Sequence, residues 1–218
     1  NRFNIIEKFQ FLKSLEGVDY VINCAGAIPQ RMPNVISDEE EFNFFKINYL
    51  LPETLLDNNF KVIQPCTDCV YRGDPKSAPY SLNSNFDCVD TYGKSKAKLY
   101  SGRSYLKNIN SIKVIRASIV GNDKLNKSLY SWSLSQVLSS RIINGYINHF
   151  WNGITTLKWA EICIEIIKNF DSFNPISTFG TNTVSKYELI KNILLANQIN
   201  PDNYLKPFQA KENINKTL

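Results

Sequence analysis

Thr67, Tyr92 and Lys96 have the types and spacing for proton transfer at a carbonyl group. Tyr92 and Lys96 stand four residues apart in Y-G-K-S-K, and on a helix residues i and i+4 share a face. An ammonium beside a phenol favours the phenolate and lowers its pKa from about 10. A phenol so tuned gives a proton to a carbonyl oxygen as hydride arrives, or takes it back in reverse. The pattern alone does not choose the pair, because Tyr187 and Lys191 repeat it and roughly one such spacing is expected by chance. Context chooses. Thr67 ends a predicted parallel strand 25 residues before Tyr92, and open α/β sheets bind ligands at that edge. A hydroxyl there can hydrogen-bond the same oxygen as Tyr92, whereas Tyr187 has no such strand partner and reads as packing.

Other chemistries fare worse. Cys66 and Cys69 form a C-x-x-C, but Cys24, Cys88 and Cys163 are scattered and His149 is the only histidine. A zinc site needs two more ligands at similar spacing, so no metal is expected. Free thiols used as small core residues suggest a reducing compartment and a cytoplasmic protein. The 218 residues carry 25 basic against 20 acidic side chains, a net charge of +5, with no block of like charge. Nucleic-acid readers and polybasic membrane binders need more clustering than that. No apolar run approaches the roughly 18 residues of a membrane span, and no signal peptide is visible. The nine glycines never lie closer than eight residues apart. A phosphate-cradling loop needs them about two to five apart, so neither G-x-G-x-x-G nor a Walker loop is present.

The elements that must position these residues follow from periodicity. Val18 to Cys24 is a short apolar run ending in Ala25-Gly26, read as a buried parallel strand. Ser37 or Asp38 caps a helix with apolar residues at Phe42, Phe45, Tyr49 and Leu56, kinked or broken near Pro52. Lys61 to Cys66 is the next strand, a polar loop runs from Gly73 to Val89, and a helix spans about Thr91 to Lys107. Ser111 to Ser118 is a further strand. This alternation argues for an α/β fold with an open parallel sheet. Beyond Asn122 the pattern gives a helix over Leu129 to Ser140, an irregular aromatic stretch from Gly145 to Gly153, and an amphipathic helix over Thr156 to Asn169. A short strand (Ile176 to Phe179) and a helix (Ser185 to Asn197) follow. Asparagine is unusually frequent, and no function is attached to it.

The motifs V-I-N-C-A-G (21 to 26), F-K-I-N (45 to 48), T-D-C-V-Y-R-G (67 to 73), Y-G-K-S-K (92 to 96) and R-A-S-I-V-G (116 to 121) occur in a meaningful order. In that order the chain resembles the extended short-chain dehydrogenase/reductases, and most nearly the dTDP-4-dehydrorhamnose reductase-like sugar-nucleotide branch. W-N-G-I-T-T-L (151 to 157) and V-S-K-Y-E-L (184 to 189) extend the resemblance over nearly the whole chain. The resemblance implies a Rossmann-like cofactor domain over 1–122 and a mainly substrate-binding region over 123–218. It implies NADP or NAD as cofactor, a nucleotide-sugar substrate, and reduction of a 4-keto-6-deoxy sugar in polysaccharide precursor synthesis. A nucleotide-sugar epimerase and a non-catalytic reductase-like subunit are the alternatives, and a homodimer is compatible with it.

By the same resemblance Tyr92 is the proton donor, Lys96 also holds the nicotinamide ribose, and Thr67 orients the sugar ketone. Asn23, Ala25, Gly26 and Asn48 fall on the cofactor side. Ile119, Trp151 and Asn152, with His149, fall on the substrate side. Sugar-nucleotide dehydratases carry T-D-E where this chain has Thr67-Asp68-Cys69, which disfavours water elimination. The family's first strand and glycine-rich loop precede the strand at Val18. Here only 17 residues stand there, with Phe9, Phe11, Leu12 and Leu15 as a helical apolar stripe. The chain is therefore expected to be an excerpt lacking roughly the first βαβ unit, and to be inactive alone.

Overall fold

A computed structural model describes residues 10–29, 37–123 and 127–218. Phe9 lies outside the described residues, while residues 10–13 are helical. The first strand, β1 (Tyr20–Ile22), leads to α1 (Asp38–Phe45). Ser37 caps α1 reciprocally: its hydroxyl accepts the Glu40 N–H, and the Glu40 carboxylate accepts the Ser37 N–H at 2.8 Å. A π-helical turn, Lys46–Leu50, separates α1 from α2 (Leu51–Asp57). Pro52 has no N–H to donate to the preceding turn, so the expected kink takes the form of that wide turn.

The strand β2 (Lys61–Cys66) lies where its apolar run placed it. The helix expected over 91–107 is broken instead into α3 (Thr91–Ala97) and α4 (Arg103–Lys107), with a 3-10 turn and Gly102 between them. Glu53 of α2 causes the break. Its buried carboxylate accepts the Ser104 N–H at 3.0 Å and the Tyr105 N–H at 2.8 Å, and a Cβ on Gly102 would collide with it. A side chain 51 residues before Ser104 thus serves as the cap of α4, which no local pattern announces.

After β3 (Ile112–Arg116) come β4 (Ile119–Val120), α5 (Leu129–Leu138), β5 (Ile143–Tyr146), β6 (His149–Trp151) and β7 (Ile154–Thr155). The chain continues through α6 (Thr156–Lys168), β8 (Ile176–Thr178), β9 (Val184–Ser185), α7 (Lys186–Ala196), β10 (Leu205–Phe208) and β11 (Ile214–Asn215). The main sheet has the order β1-β2-β3-β8, parallel throughout. Side chains alternate across it, as the pleat requires. Val62, Ile112 and Val114 pack with Leu55, Leu56 and Tyr105 of α2 and α4, while Ile63 and Ile115 pack with Ile162, Cys163 and Ile166 of α6. Helices therefore cover both faces, and the fold is α/β and Rossmann-like. Because α6 and β8 lie beyond residue 122, this sheet draws on both halves of the sequence.

A second core forms where α5, α7, β5 and β10 meet, around Ile143, Ile190, Leu194 and Leu205. The stretch from Gly145 to Gly153, expected to be irregular, contributes to two strands. β5 pairs with β10, and β6 sits between β11 and β9. Their partners arrive late in the sequence, so three- and four-residue strands leave no local signature. Among the described residues no helix is long and apolar enough to cross a membrane, and no group of His, Cys, Asp and Glu could hold a metal.

Glu53→Ala leaves two buried backbone donors without an acceptor, at a cost of about 2 kcal/mol. Thermal melting should fall by about 4–8 °C for a domain of this size; an unchanged midpoint would show that α4 does not need its distant cap.

Candidate active site

The site lies at the C-terminal ends of β1, β2 and β3, where parallel α/β sheets leave a crevice. β2 ends at Cys66, and Thr67 then caps a one-turn 3-10 helix, Asp68–Val70. The buried Thr67 hydroxyl accepts the Cys69 N–H at 3.1 Å and donates to Asp68 Oδ1 at 3.0 Å. Facing it, α3 begins at an Asp90 cap whose carboxylate accepts the Gly93 N–H at 2.7 Å. Gly93 lets α3 approach this turn. A Cβ there would strike both the Cys69 carbonyl oxygen and Cys88 Cβ. That approach puts the half-buried Tyr92 beside Thr67, which hydrogen-bonds its phenol. One turn later Lys96 is buried, with its Nζ at 3.4 Å from the Pro65 carbonyl oxygen. Thr67, Tyr92 and Lys96 all line one cavity of about 600 Å³.

The electrostatics differ from the expectation that Lys96 would draw the Tyr92 pKa down. Burial dominates and raises it, reinforced by Cys69, Cys66 and Asp68 and opposed by the hydrogen bond to Thr67. Burial also pushes the Lys96 ammonium below the usual lysine range, opposed by Cys66. Desolvation prevails, so Tyr92 is a protonated phenol at neutral pH. That is the form a proton donor needs. The Cys69 thiol, pushed up to about 11 by burial first and then by Asp68, is the reverse of an activated redox thiol. All five cysteines are free.

Of the other residues assigned from sequence, Ala25, Gly26, Ile119 and Trp151 line the cavity, as does His149. Three asparagines do not. Asn23 turns its amide to Gln64 Oε1 (2.7 Å) and accepts the Ala25 N–H (3.0 Å). Asn48, fully buried, donates to the Ala27 carbonyl (3.0 Å) and the Ser95 hydroxyl (2.9 Å), and accepts the Ala27 N–H (3.1 Å). Asn152 clasps the backbone of Leu218, donating to its carbonyl at 2.8 Å and accepting its N–H at 3.0 Å. Their amides are engaged with the protein, so Asn23 and Asn48 brace the backbone of Ala25 and Ala27 and Asn152 holds that of Leu218.

Arg116 opens the motif at 116–121 but was given no role of its own from the sequence. It pairs in register with Cys66, is 1% exposed, and donates from Nη1 to the Tyr71 hydroxyl at 2.7 Å. The rings of Tyr71, Phe86 and Tyr100 surround its guanidinium at 5.2–5.7 Å, and no carboxylate pairs with it among the described residues. Tyr71 follows the turn that Thr67 caps, so this cage braces the turn from behind. Lys186 and Lys216, also unassigned from sequence, line the cavity too.

No protein-family model matches the chain, and no curated protein sequence matches it significantly. Solved structures do. A dTDP-4-dehydrorhamnose reductase from Clostridium acetobutylicum superposes with a TM-score of 0.76 over 99% of this chain and 74% of that one, at 16% identity. The dTDP-4-dehydrorhamnose reductase of Bacillus anthracis, solved in complex with NADP, gives 0.73 over 95% and 71% at 15% identity. A UDP-N-acetylglucosamine 4-epimerase from Bacillus cereus gives 0.72 over 94% and 72% at 20% identity. The fold of this chain is the fold these sugar-nucleotide enzymes share.

Alkaline titration followed at the phenolate absorbance tests the site's electrostatics. The difference between the native chain and Tyr92→Phe should show no phenol ionising near pH 10, the ordinary tyrosine range. A difference signal at or below that pH would mean that Lys96 prevails over burial.

Proposed function

We propose that the protein reduces a nucleotide-linked 4-keto-6-deoxy sugar with NADPH or NADH, in the synthesis of polysaccharide precursors. The observation carrying this reading is the meeting of the Thr67 and Tyr92 hydroxyls in one cavity wall, with Lys96 one turn behind. In this reading residues 1–122 serve mainly the cofactor and 123–218 mainly the substrate.

The residues present fit the nicotinamide-ribose end of a dinucleotide. Lys96 Nζ has one long hydrogen bond, to Pro65 at 3.4 Å, and keeps donors for ribose hydroxyls. Gly26 leaves open space there, with a Cβ at that position still 3.9 Å from Asn48 Oδ1 and 4.0 Å from Lys96 Nζ. The neighbour solved with NADP supports the same cofactor class. When bound, a reduced nicotinamide supplies hydride to the sugar carbonyl carbon. Thr67 holds the carbonyl oxygen once its hydroxyl turns from Asp68 to donate to it, and Tyr92 releases its proton to that oxygen as negative charge develops. Lys96 stabilises the phenolate left behind.

Water elimination finds no support in these residues, because a Cys69 thiol with a pKa of about 11 is a poor stand-in for a carboxylate base. An epimerase is the second reading, favoured by the shared fold of the 4-epimerase. The two differ in product: a reductase consumes one reduced nicotinamide per turnover, and an epimerase none.

In the full-length natural protein, Tyr92→Phe should cut turnover about a hundredfold or more, the usual scale of lost acid catalysis. Cofactor affinity, measured by calorimetry, should stay nearly intact. Wild-type rates in that variant, read as absorbance loss with several nucleotide-linked 4-keto sugars, would sink the assignment.

A further inference from the structure

A buried cation ties together the two segments that carry the reacting hydroxyls. Arg116 ends β3 in register with Cys66, the residue before Thr67. Its Nη1 donates to the Tyr71 hydroxyl at 2.7 Å, and Tyr71 passes the bond on, donating to the Ser81 carbonyl at 3.1 Å. Tyr71 closes the 3-10 turn that Thr67 opens, its N–H bonding the Asp68 carbonyl at 2.9 Å. Ser81 belongs to the loop that runs from that turn to α3. Arg116 therefore grips the turn and, through Tyr71, the loop beyond it.

It grips the Tyr92 side as well. Tyr100 lies four residues beyond Lys96, in the 3-10 turn (Lys98–Ser101) that continues α3. The Tyr100 ring stands 5.3 Å from the guanidinium, and Phe86 packs between Tyr71 and Tyr100 with ring centroids 5.8 Å and 4.8 Å away. The Tyr100 hydroxyl is turned toward the Cys66 thiol and the guanidinium without closing a full hydrogen bond to either. Lys96 feels the same thiol, so the side of α3 that carries Lys96 is the side that Tyr100 fastens to β2 and β3. One planar cation thus meets the turn through Tyr71 and the helix through Tyr100, with Thr67 and Tyr92 at the far ends of those two contacts. The cavity wall here is Cys66 and Ala117; Arg116 lies behind it, 1% exposed. Stability alone favours an apolar side chain in such a place, since burying a charge without an ionic partner costs free energy. The guanidinium supplies what an apolar chain does not, a directed hydrogen bond to Tyr71.

We propose that Arg116 is a positioning residue, which sets the separation of the Thr67 and Tyr92 hydroxyls by holding Tyr71 and Tyr100 about one guanidinium. The proposal rests on the reductase reading for the reaction it serves, and on the geometry alone for the hold itself. Arg116 acts through its neighbours and touches neither substrate nor cofactor. Lysine is no substitute, because a compact, strongly hydrated ammonium lacks the planar face that the three rings enclose.

Steady-state kinetics of the full-length protein separate positioning from folding. Arg116→Met removes the cation and largely fills its space, so the chain should melt close to the native temperature. Its kcat should fall about ten- to a hundredfold, the scale of an ångström-level misplacement. KM for sugar and cofactor should stay within about twofold, because the groups that bind them are untouched. Tyr71→Phe loses only the acceptor of the 2.7 Å bond and should lower kcat in the same way, which carries the test if Arg116→Met does not fold. Arg116→Lys keeps the charge without the planar fork and should fall likewise. On a Tyr92→Phe background Arg116→Met should cost nothing further, since a group that acts through Tyr92 has nothing left to position. Native kcat in any of the three folded variants, a rise in KM alone, or a full additional loss on the Tyr92→Phe background would each overturn the proposal. A second readout needs no turnover. Alkaline difference titration of Arg116→Met against the Arg116→Met/Tyr92→Phe double variant should show the Tyr92 phenol ionising nearer the ordinary range of about pH 10 than in the native chain, as α3 stands off and water enters. An unchanged titration would overturn the hold whether or not the protein proves to be a reductase, and Tyr92→Phe alone tests that reading.

Discussion

The close approach of α3 to the Thr67 turn is the constraint on which the site depends. Two polypeptide segments, one leaving β2 and one opening α3, touch through the Cys69 carbonyl and the bare Cα of Gly93. With any side chain at that point the helix would stand off, and the Tyr92 hydroxyl would lose Thr67. The Asp90 cap fixes where the helix starts, and the Ser95 hydroxyl ties back to the Tyr92 carbonyl at 2.8 Å while accepting from Asn48. From Asn48 the network continues to both backbone groups of Ala27, next to Gly26 in the cavity wall. One packing contact thereby sets the geometry on two sides of the cavity.

Burial of charge is the second theme. Lys96 and Arg116 are both deeply buried, and neither has a carboxylate partner among the described residues. Arg116 is accommodated by π faces and a phenol oxygen, an arrangement suited to a weakly hydrated guanidinium. Lys96 has one long contact to a carbonyl, which leaves it poised rather than satisfied. The two cations flank β2 and its C-terminal turn for different ends: one stiffens the turn, the other faces the cavity.

Much of this was legible in the residues, and the remainder was hidden for identifiable reasons. The strand Lys61–Cys66, the helix capped at Ser37 and the helices Thr156–Lys168 and Lys186–Ala196 were readable because their signals are local: an apolar run, a hydroxyl cap and apolar periodicity. The break at Gly102 was not, because its cause is Glu53 on another helix. Thr67, Tyr92 and Lys96 were singled out from spacing and strand context and do line one cavity, but the Tyr92 electrostatics differ from the expectation, since proximity is visible in sequence and desolvation is not. Asparagine's frequency, which suggested nothing, has a structural use. Asn148 alone binds the backbone of Ala210 and Glu212, and Asn23, Asn48 and Asn152 anchor backbone in the same way. Lys186 and Lys216 were invisible because only the late strand β11 brings them together.

That late strand has a consequence for how the protein is made. The Asn215 N–H bonds the Gly73 carbonyl, the Tyr80 N–H bonds the Thr217 carbonyl, and Leu218 packs into the core under α2 and α4. The loop that follows the Thr67 turn is thus stitched down by residues that are synthesised far later than the loop itself. During synthesis, at about 5–20 residues per second, the parallel sheet has its strands in hand well before this stitch exists. Until it forms, the nascent chain carries a nearly assembled sheet beside an unfastened loop, and the cavity gains the wall that Ile214 and Lys216 supply only after residues 214–218 have been made.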